Sequence, residues 1–380
     1  MRRATLLLLL ALAACAAPRH PVPEALVEKA SVPGYGRIRF WGDDAQSIGH
    51  STIVREATES RARTGTPDWY FLSISGGGSD GAFGAGIITG WTATGTRPEF
   101  DIVTGISTGS LSAPFAFLGP AWDDELTAVY TDVTAKDIYR PLGLIGALVK
   151  GSFEDDAPLR ALVHRHVTDE MVAEIAGEHA LGRRLYIGTT DLDADRPVVW
   201  DVGGIANSGV PGRRDLIVDI LVASASLPAV FPPARIEVTA DGKSYDELHV
   251  DGGVANQAFL FPANITRADL DLWTDHARNR SVYVIRNGKV TPEYSPVSAR
   301  LVPVLRKSVD MLVKTQGIGD LYQMADTAAR VGADFNAIWI PETFTEVEPS
   351  PFDRGYMRDV YALGRSMAEG GIAWSKVPPE

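Results

Sequence analysis

Apolar residues along this chain fall into short runs that end at glycines, with helical stretches between the runs. Residues 69–75 form a run rich in aromatic and β-branched side chains, and three glycines follow it, as expected for a buried strand. A helix is predicted around residues 84–94, and a second strand at 100–104. The order strand, glycine turn, helix, strand is typical of a parallel sheet with helices on its faces. The pattern therefore predicts an α/β fold.

The same alternation continues through the rest of the chain. Further strands are predicted at residues 184–189, 198–201, 249–250 and 281–286. Further helices are predicted at residues 110–117, 157–167, 169–176, 216–224 and 302–333. Residues 335–340 are compatible with one more strand and 351–367 with a closing helix. We predict one large domain at 67–340, because the motifs with chemical content all lie within it, and an extension at 341–380 that packs on this domain.

The first residues have the pattern of a bacterial signal peptide. Two arginines precede an apolar run at residues 5–12, and small residues then lead to Cys15. This is a basic segment followed by an apolar one that is too short to span a bilayer as a mature helix. It resembles a lipobox, in which the cysteine is lipidated and becomes the first mature residue. Residues 1–15 are therefore predicted to be a lipoprotein signal peptide; a secretory signal cut elsewhere, for example after Ala17, is the alternative.

Residues 16–66 are rich in proline, arginine, alanine and serine and have no long apolar period. They are predicted to form a tether with some peripheral structure. Ala16 follows the cysteine, where an aspartate would, in lipoproteins of this type, retain the protein at the inner membrane. We expect an outer-membrane anchor that faces the periplasm. Cys15 is the only cysteine in the chain, so no disulfide forms within the chain and a catalytic cysteine in the mature protein is excluded.

The chain has a formal net charge of -12 over 380 residues. This charge repels a phosphate backbone, and no run of lysine and arginine forms a local basic patch, so nucleic acid is not an expected partner. The acidity also gives no attraction to an anionic membrane surface. Membrane attachment is therefore expected through the N-terminal lipid rather than through the bulk charge.

The strongest chemical motif is Gly-Ile-Ser-Thr-Gly at residues 105–109, placed between a predicted strand and a predicted helix. Gly105 and Gly109 lack Cβ atoms where a sharp strand-to-helix turn brings backbone close to backbone. Such a turn exposes the hydroxyl of Ser107, and the helix N-terminus favours negative charge there. Ser107 is thus a candidate nucleophile. The alternative is a glycine turn without a catalytic role, because this motif also occurs by chance.

Three glycines, Gly76, Gly77 and Gly78, follow the first strand. Their backbone N–H groups can approach a substrate without obstruction and are candidate donors to an oxyanion. The competing interpretation is a dinucleotide-binding loop, which needs an acidic residue at the far end of the second strand. Asp101 has the required spacing but opens that strand, and Ser107 lies where the strand ends. The position of these residues argues against the nucleotide.

A third glycine motif, Asp251-Gly252-Gly253, follows a short predicted strand. A carboxylate at the end of a strand can take the proton of a serine hydroxyl where no histidine is available. Taken alone, such a tripeptide is more often a simple turn. No group of histidines or carboxylates has metal-ligand spacing, and we expect no metal site.

These three motifs, in this order and spacing, resemble the patatin-like phospholipases. The segment at residues 223–233, Ala-Ser-Ala-Ser-Leu-Pro-Ala-Val-Phe-Pro-Pro, is also similar to the one that precedes the aspartate in that family. The likeness covers residues 68–290. It implies a three-layer αβα patatin-like fold with a mostly parallel central sheet, in which the domain at 67–340 is an acyl hydrolase.

The resemblance also implies a mechanism and a class of substrate. Ser107 would attack an ester carbonyl of a lipid, Asp251 would accept its proton, and the resulting acyl-enzyme would be hydrolysed without a cofactor. Gly77 and Gly78 match the loop that holds the oxyanion. One departure is Asp80, since members often carry a basic residue soon after the glycines. This difference favours neutral esters or lysolipids over substrates with a phosphate held at that point.

Two alternatives remain. A Ser-His-Asp triad would need a histidine after the acidic residue, and only His276 lies beyond Asp251; its surroundings are typical of an exposed segment. His249, two residues before Asp251, is interpreted as a buried neighbour rather than a catalytic group. The alternative from another class is a non-catalytic lipoprotein that keeps the patatin fold as a lipid-binding or assembly module.

Overall fold

The computed structural model describes residues 19–44, 68–142, 152, 154–228, 230–262, 264–274 and 279–379. The predicted signal peptide with Cys15 lies outside these residues, as does His276. The strands are β1 (Arg39–Trp41), β2 (Asp68–Ile74), β3 (Ile102–Gly105), β4 (Arg140–Pro141), β5 (Glu154–Asp155), β6 (Arg184–Asp191), β7 (Arg196–Asp201), β8 (Ala234–Ala240), β9 (Lys243–Asp251), β10 (Asn279–Arg286) and β11 (Asp334–Trp339).

Helices alternate with these strands through most of the described chain. They are α1 (Gly81–Ala93), α2 (Thr108–Leu118), α3 (Asp123–Thr131), α4 (Ala135–Ile138), α5 (Ala157–His166), α6 (Asp169–Ala180), α7 (Val202–Asn207), α8 (Arg213–Ser224), α9 (Arg267–Trp273), α10 (Leu301–Val331) and α11 (Arg354–Glu369). Among the described residues, none of these helices combines the length and the apolar character needed to cross a membrane.

The main sheet has nine strands, seven of them in the order β1-β7-β6-β3-β2-β10-β11. Within this order, the five strands β6-β3-β2-β10-β11 run parallel to one another. On the other side of β6 the described strands of this sheet pair antiparallel: β7 and β1 follow β6, and the hairpin β8–β9 joins β6. The prediction of an α/β fold with a mostly parallel central sheet is confirmed.

The side chains of β2 show how the layers form. Successive strand residues point to opposite faces of a sheet. Trp69 and Phe71 pack on one face with residues of α9 and α10, whereas Leu72 and Ile74 pack on the other with α1, α2 and α8. All four side chains are almost completely buried. The sheet is therefore covered by helices on both faces, which gives the three-layer arrangement.

Helix α1, which starts at the glycine loop, packs closely against α11. A Cβ atom at Gly86 would lie 2.2 Å from the carbonyl oxygen of Tyr361, and one at Gly364 would lie 2.4 Å from that of Phe83. Any larger residue at these positions would separate the two helices. The last helix thus contacts the element that supports the glycine loop.

Two features of the sheet differ from the sequence prediction. β9 is nine residues long, where only residues 249–250 were expected, and it pairs with the unpredicted strand β8. The turn between them is Asp241-Gly242, in which both residues have positive φ, as a tight hairpin requires. β1, within the expected tether, pairs with β7 at the sheet edge. Hairpin strands with one polar face give a weaker apolar signal than buried parallel strands.

Candidate active site

Ser107 lies at the sharp turn between β3 and α2. Its backbone has φ 54° and ψ -127°, a conformation that non-glycine residues rarely adopt and that is concentrated at functional sites. The N–H of Ser107 donates to Ser224 Oγ at 3.0 Å, and the Ser224 hydroxyl donates to the carbonyl oxygen of Gly188 at 2.7 Å. These bonds connect the turn to α8 and β6 and hold its strained conformation.

The two glycines that flank Ser107 allow close backbone contact. A Cβ atom at Gly105 would lie 2.4 Å from the carbonyl oxygen of Gly109, and one at Gly109 would lie 2.2 Å from the carbonyl oxygen of Ile74. Both distances are too short for any side chain. These contacts explain why the tight turn that the sequence predicted needs glycine at both positions.

Gly105→Ala is therefore expected to destabilise the protein by about 3 kcal/mol or more, because the clash is with backbone that cannot rotate away. Gly177→Ala is the matched control, since Gly177 lies inside α6 with nothing within 4 Å of its Cβ position. The control should gain about 0.5–1 kcal/mol from helix propensity. Chemical denaturation of both variants measures the difference, and equal stability would contradict the proposed role of Gly105.

Asp251 is the last residue of β9 and faces Ser107. Its carboxylate lies beside the Ser107 side chain, which acts to lower its pKa, and it accepts a hydrogen bond from the N–H of Gly253 at 2.7 Å. The backbone N–H of Asp251 donates to the carbonyl oxygen of Ser226 at 3.0 Å. A Cβ atom at Gly252 would lie 2.6 Å from the carbonyl oxygen of Gly188, so the turn after Asp251 packs directly on β6.

The position of Asp251 changes its acidity. The residue is only 3% exposed, and burial raises its pKa to about 7, against the opposing effects of the neighbouring Ser107 side chain and of the hydrogen bond from Gly253. A carboxylate that titrates near neutral pH is a stronger base than an ordinary aspartate. The arrangement can therefore remove a proton from the Ser107 hydroxyl.

The glycine loop runs beside Ser107. A Cβ atom at Gly76 would lie 3.2 Å from Ser107 Cβ, and one at Gly77 would lie 2.1 Å from the carbonyl oxygen of Asn287. The N–H of Gly76 donates to the carbonyl oxygen of Gln257 at 3.0 Å. The N–H groups of Gly77 and Gly78 make no hydrogen bond to another described residue. Of the three predicted donors, Gly76 is thus already engaged, and Gly77 and Gly78 remain available.

Gln257 connects the two glycine motifs, a role that the sequence did not reveal. Its carbonyl oxygen accepts from Gly76, and its side-chain amide donates to the carbonyl oxygen of Gly253 at 2.8 Å. Its own N–H donates to Asp320 Oδ2 at 2.5 Å, which ties the segment to α10. No sequence signal marks Gln257 or Asp320, whereas Ser224 lies in the segment at 223–233 that carried the family resemblance.

Asp80, the unusual residue after the glycines, is engaged with the last helix. The hydroxyl of Tyr356 donates to Asp80 Oδ1 at 2.6 Å. Burial, with a smaller contribution from the nearby charge of Glu348, raises the pKa of Asp80 to about 6 in spite of this bond. The carboxylate thus holds α11 against the start of α1.

The residues of the competing hypotheses lie elsewhere. Asp101 stands just before β3, and its Oδ2 accepts from the N–H of Tyr70 at 2.7 Å, so it is not free to bind a ribose at the other end of the strand.

His249 is fully buried. Its Nδ1 lies 2.9 Å from Thr189 Oγ1 and its Nε2 lies 3.2 Å from Glu247 Oε2, as expected for a neighbour of the site.

His249 and Glu247 also form a group with Asp191 in which the potential ligand atoms lie within 4.8 Å of one another. Both carboxylate oxygens of Glu247 already accept from the Arg39 guanidinium, and Asp191 Oδ1 accepts from the N–H of Asp193 at 2.9 Å. The ion pair with Arg39 lowers the pKa of Glu247 to about 2, although burial opposes this. These contacts describe a hydrogen-bonded ionic network that joins β1, β6 and β9.

No curated protein sequence matches the chain. Among solved structures, VipD from Legionella pneumophila is 11% identical with a TM-score of 0.35, covering 80% of this chain and 66% of its own. Human GIVD cytosolic phospholipase A2 is 9% identical with a TM-score of 0.33, covering 83% of this chain and 53% of its own. The chain therefore spans about two thirds and about half of these proteins, and the structural likeness is too weak to support an argument.

The family comparison is more informative. The family described as patatin-like phospholipase matches residues 72–264, about half of the chain. The matched segment contains the glycine loop, Ser107 and Asp251, the same residues that the fold brings together at the ends of β2, β3 and β9. Because both the order of the motifs and their convergence in space agree with this match, the chain belongs to the patatin-like phospholipase family.

Proposed function

We propose that this protein is a serine acyl hydrolase that cleaves carboxylic esters of lipids with a Ser107–Asp251 dyad. The observation that carries the proposal is the position of the buried Asp251 carboxylate beside the Ser107 side chain, at a strained turn that presents the hydroxyl. A nucleophile paired with a base of raised pKa is the arrangement that covalent catalysis by serine requires. Membership of the patatin-like phospholipase family supports a lipid substrate.

The reaction would proceed in two steps. In the first, Asp251 takes the proton of the Ser107 hydroxyl while Oγ bonds to the ester carbonyl carbon. The alcohol then leaves with that proton, and an acyl-serine remains. In the second, Asp251 takes a proton from water, whose oxygen attacks the acyl carbon. The Ser107–acyl bond breaks, the serine recovers its proton, and a free fatty acid is released.

Negative charge develops on the carbonyl oxygen in both steps. The N–H groups of Gly77 and Gly78 are the donors that support its stabilisation, because the N–H of Gly76 is engaged by Gln257. The N-terminus of α2, which begins at Thr108, adds the positive end of a helix dipole beside Ser107. The site as described needs no cofactor for this chemistry.

Release of fatty acid tests the proposal. The full-length protein is incubated with p-nitrophenyl esters of increasing acyl length, and then with neutral glycerolipids, lysophosphatidylcholine and phosphatidylcholine in mixed micelles. We expect burst release of p-nitrophenol, followed by turnover, and fatty acid release from at least one lipid. A folded protein that releases none and binds lipid vesicles would instead support the non-catalytic lipid-binding alternative.

We also propose that the protein is lipidated at Cys15 and anchored in the outer membrane, facing the periplasm. The support is the basic and apolar sequence before this cysteine and the small residues next to it. Growth with an alkyne-labelled fatty acid should label wild type and leave Cys15→Ala unlabelled. Label that persists in the variant, or that fractionates away from the outer membrane, would contradict the proposed anchor.

A further inference from the structure

Arg286, at the C-terminal end of β10, is a buried cation beneath the glycine loop. It is only 3% exposed. Its Nη1 lies 2.9 Å from the carbonyl oxygen of Gly76 and 3.1 Å from Ser75 Oγ, and donates to both. A Cβ atom at Gly317 would lie 2.9 Å from Arg286 Nε. The absence of a side chain at Gly317 therefore makes room for the guanidinium next to α10.

The hydrogen bond to Gly76 fixes the direction of one peptide group. In a trans peptide the C=O and the following N–H point in opposite directions. Because the carbonyl oxygen of Gly76 faces the Arg286 guanidinium, the N–H of Gly77 points away from it. This is one of the two N–H groups of the glycine loop that donate to no other described residue.

Asn287, the residue that directly follows β10, completes the support. The Asn287 N–H donates to Ser75 Oγ at 2.9 Å, and its side-chain amide donates to the carbonyl oxygen of Ser75 at 2.8 Å. Asn287 Oδ1 also accepts from the N–H of Gly84 at 3.0 Å, within α1. The end of β10 thus holds both the peptide before the loop and the helix after it.

The charge of Arg286 matters as well as its geometry. Burial lowers the pKa of this guanidinium, whereas the carboxylates of Asp80 and Asp320 raise it. Removing a guanidinium from water costs free energy, so a buried arginine is expected to be held by acceptors and nearby anions. A cation at a carbonyl oxygen also polarises the peptide and strengthens the N–H on its other side as a donor.

We propose that Arg286 is a positioning residue of the oxyanion site, which orients and polarises the Gly76–Gly77 peptide so that the Gly77 N–H donates to the developing oxyanion. The inference rests on the proposed acyl hydrolase function and deepens it. Arg286 itself bonds to no substrate atom in this proposal. Its effect on catalysis passes through the peptide that it holds.

The test compares Arg286→Met and Arg286→Lys with Arg280→Met in the full-length protein. Arg280 is the matched control, because it is another buried arginine of β10, ion-paired with Asp271 and hydrogen-bonded to Thr274. The readouts are kcat and KM for p-nitrophenyl butyrate, thermal unfolding, and inhibition by a trifluoromethyl ketone. The serine oxygen bonds to the ketone carbon, and the anionic oxygen that results occupies the place of the ester oxyanion.

We expect Arg286→Met to lower kcat by about 10- to 100-fold, less than direct loss of an oxyanion donor, with KM changed less than about threefold. Ketone affinity should fall by a similar factor to kcat. Arg286→Lys should recover part of both losses, because an ammonium can still donate to the Gly76 carbonyl oxygen. If Arg286→Met does not fold, Arg286→Lys carries the test, and it must then show a lowered kcat with a nearly unchanged KM.

Two results would overturn the inference. If Arg286→Met unfolds at a lower temperature, as Arg280→Met is expected to, but keeps wild-type kcat and ketone affinity, Arg286 has only a structural role. This result would leave the proposed hydrolase function standing. A folded wild-type protein that neither cleaves the ester nor binds the ketone would overturn the proposed function, and the inference with it.

Discussion

Ser107→Ala is expected to abolish covalent labelling by a fluorophosphonate and to reduce ester hydrolysis by at least about 1,000-fold. The reason is that the hydroxyl supplies the atom that bonds to the acyl carbon or to phosphorus. Without this hydroxyl no acyl-enzyme can form, so the two-step route that passes through the Ser107 side chain beside the Asp251 carboxylate is lost. Gel fluorescence of the labelled protein and steady-state kinetics measure the two effects.

Ser366→Ala is the matched control for this experiment. Ser366 is an exposed serine of α11, so its loss should leave both labelling and turnover unchanged. Ser107→Ala should also keep wild-type thermal stability within a few degrees, since the hydroxyl is a single polar group. Labelling that persists in a folded Ser107→Ala protein would show that another residue is the nucleophile, and the dyad would be wrong.

Asp251→Asn is expected to lower kcat by about 100- to 10,000-fold, the range typical for removal of a general base. The amide is nearly isosteric, and its oxygen can still accept from the N–H of Gly253. It cannot take a proton from the Ser107 hydroxyl at neutral pH. Because the expected loss is chemical rather than structural, KM should change much less than kcat.

The pH dependence gives a second test of the same residue. With the Asp251 pKa raised to about 7 by burial, wild-type kcat/KM should rise tenfold per pH unit below this value and level off above it. Asp201→Asn is the matched control, because Asp201 is also buried. Its Oδ1 also accepts a hydrogen bond from a backbone N–H, that of Gly204, at 2.8 Å. Its profile should keep the wild-type inflection. An inflection near pH 4 in wild type would contradict the role assigned to Asp251.

The raised pKa also predicts the sign of a stability change. Between pH 4 and 7 the folded protein retains a proton on Asp251 that the unfolded chain has released, so the free energy of unfolding decreases as pH rises through this window. Asp251→Asn carries no such titrating group. It should therefore be more stable than wild type above pH 7, with the difference shrinking as pH falls towards 4. Urea denaturation at several pH values measures this difference.

The local elements of the site could be predicted from the sequence because each has a local cause. The apolar run before Gly76, the turn at 105–109 and the turn after Asp251 are set by residues adjacent to one another in the chain. Strand-to-helix turns of this type need glycine where backbone meets backbone, and the contacts of Gly105 and Gly109 show that need directly. The motif order and spacing then led to the family.

Several contacts of the site could not be predicted from the sequence. Gly76 was predicted to donate to an oxyanion, but its N–H is engaged by the carbonyl oxygen of Gln257, which is 181 positions away along the chain. Gln257, Asn287 and Arg286 have no sequence signal, because their roles depend on which strands become neighbours in the sheet. Such pairings depend on long-range packing and not on local residue preferences.

By itself, then, the sequence determined the α/β class, the mostly parallel sheet, the glycine turns and the pair of residues proposed for catalysis. Tertiary structure alone decided that β10 lies beside β2 and brings Arg286 beneath the glycine loop. It also decided that burial raises the pKa of Asp251 to about 7. The physical reason is that periodicity and turn chemistry act over a few residues, whereas desolvation and hydrogen bonds between distant segments exist only after the chain has folded.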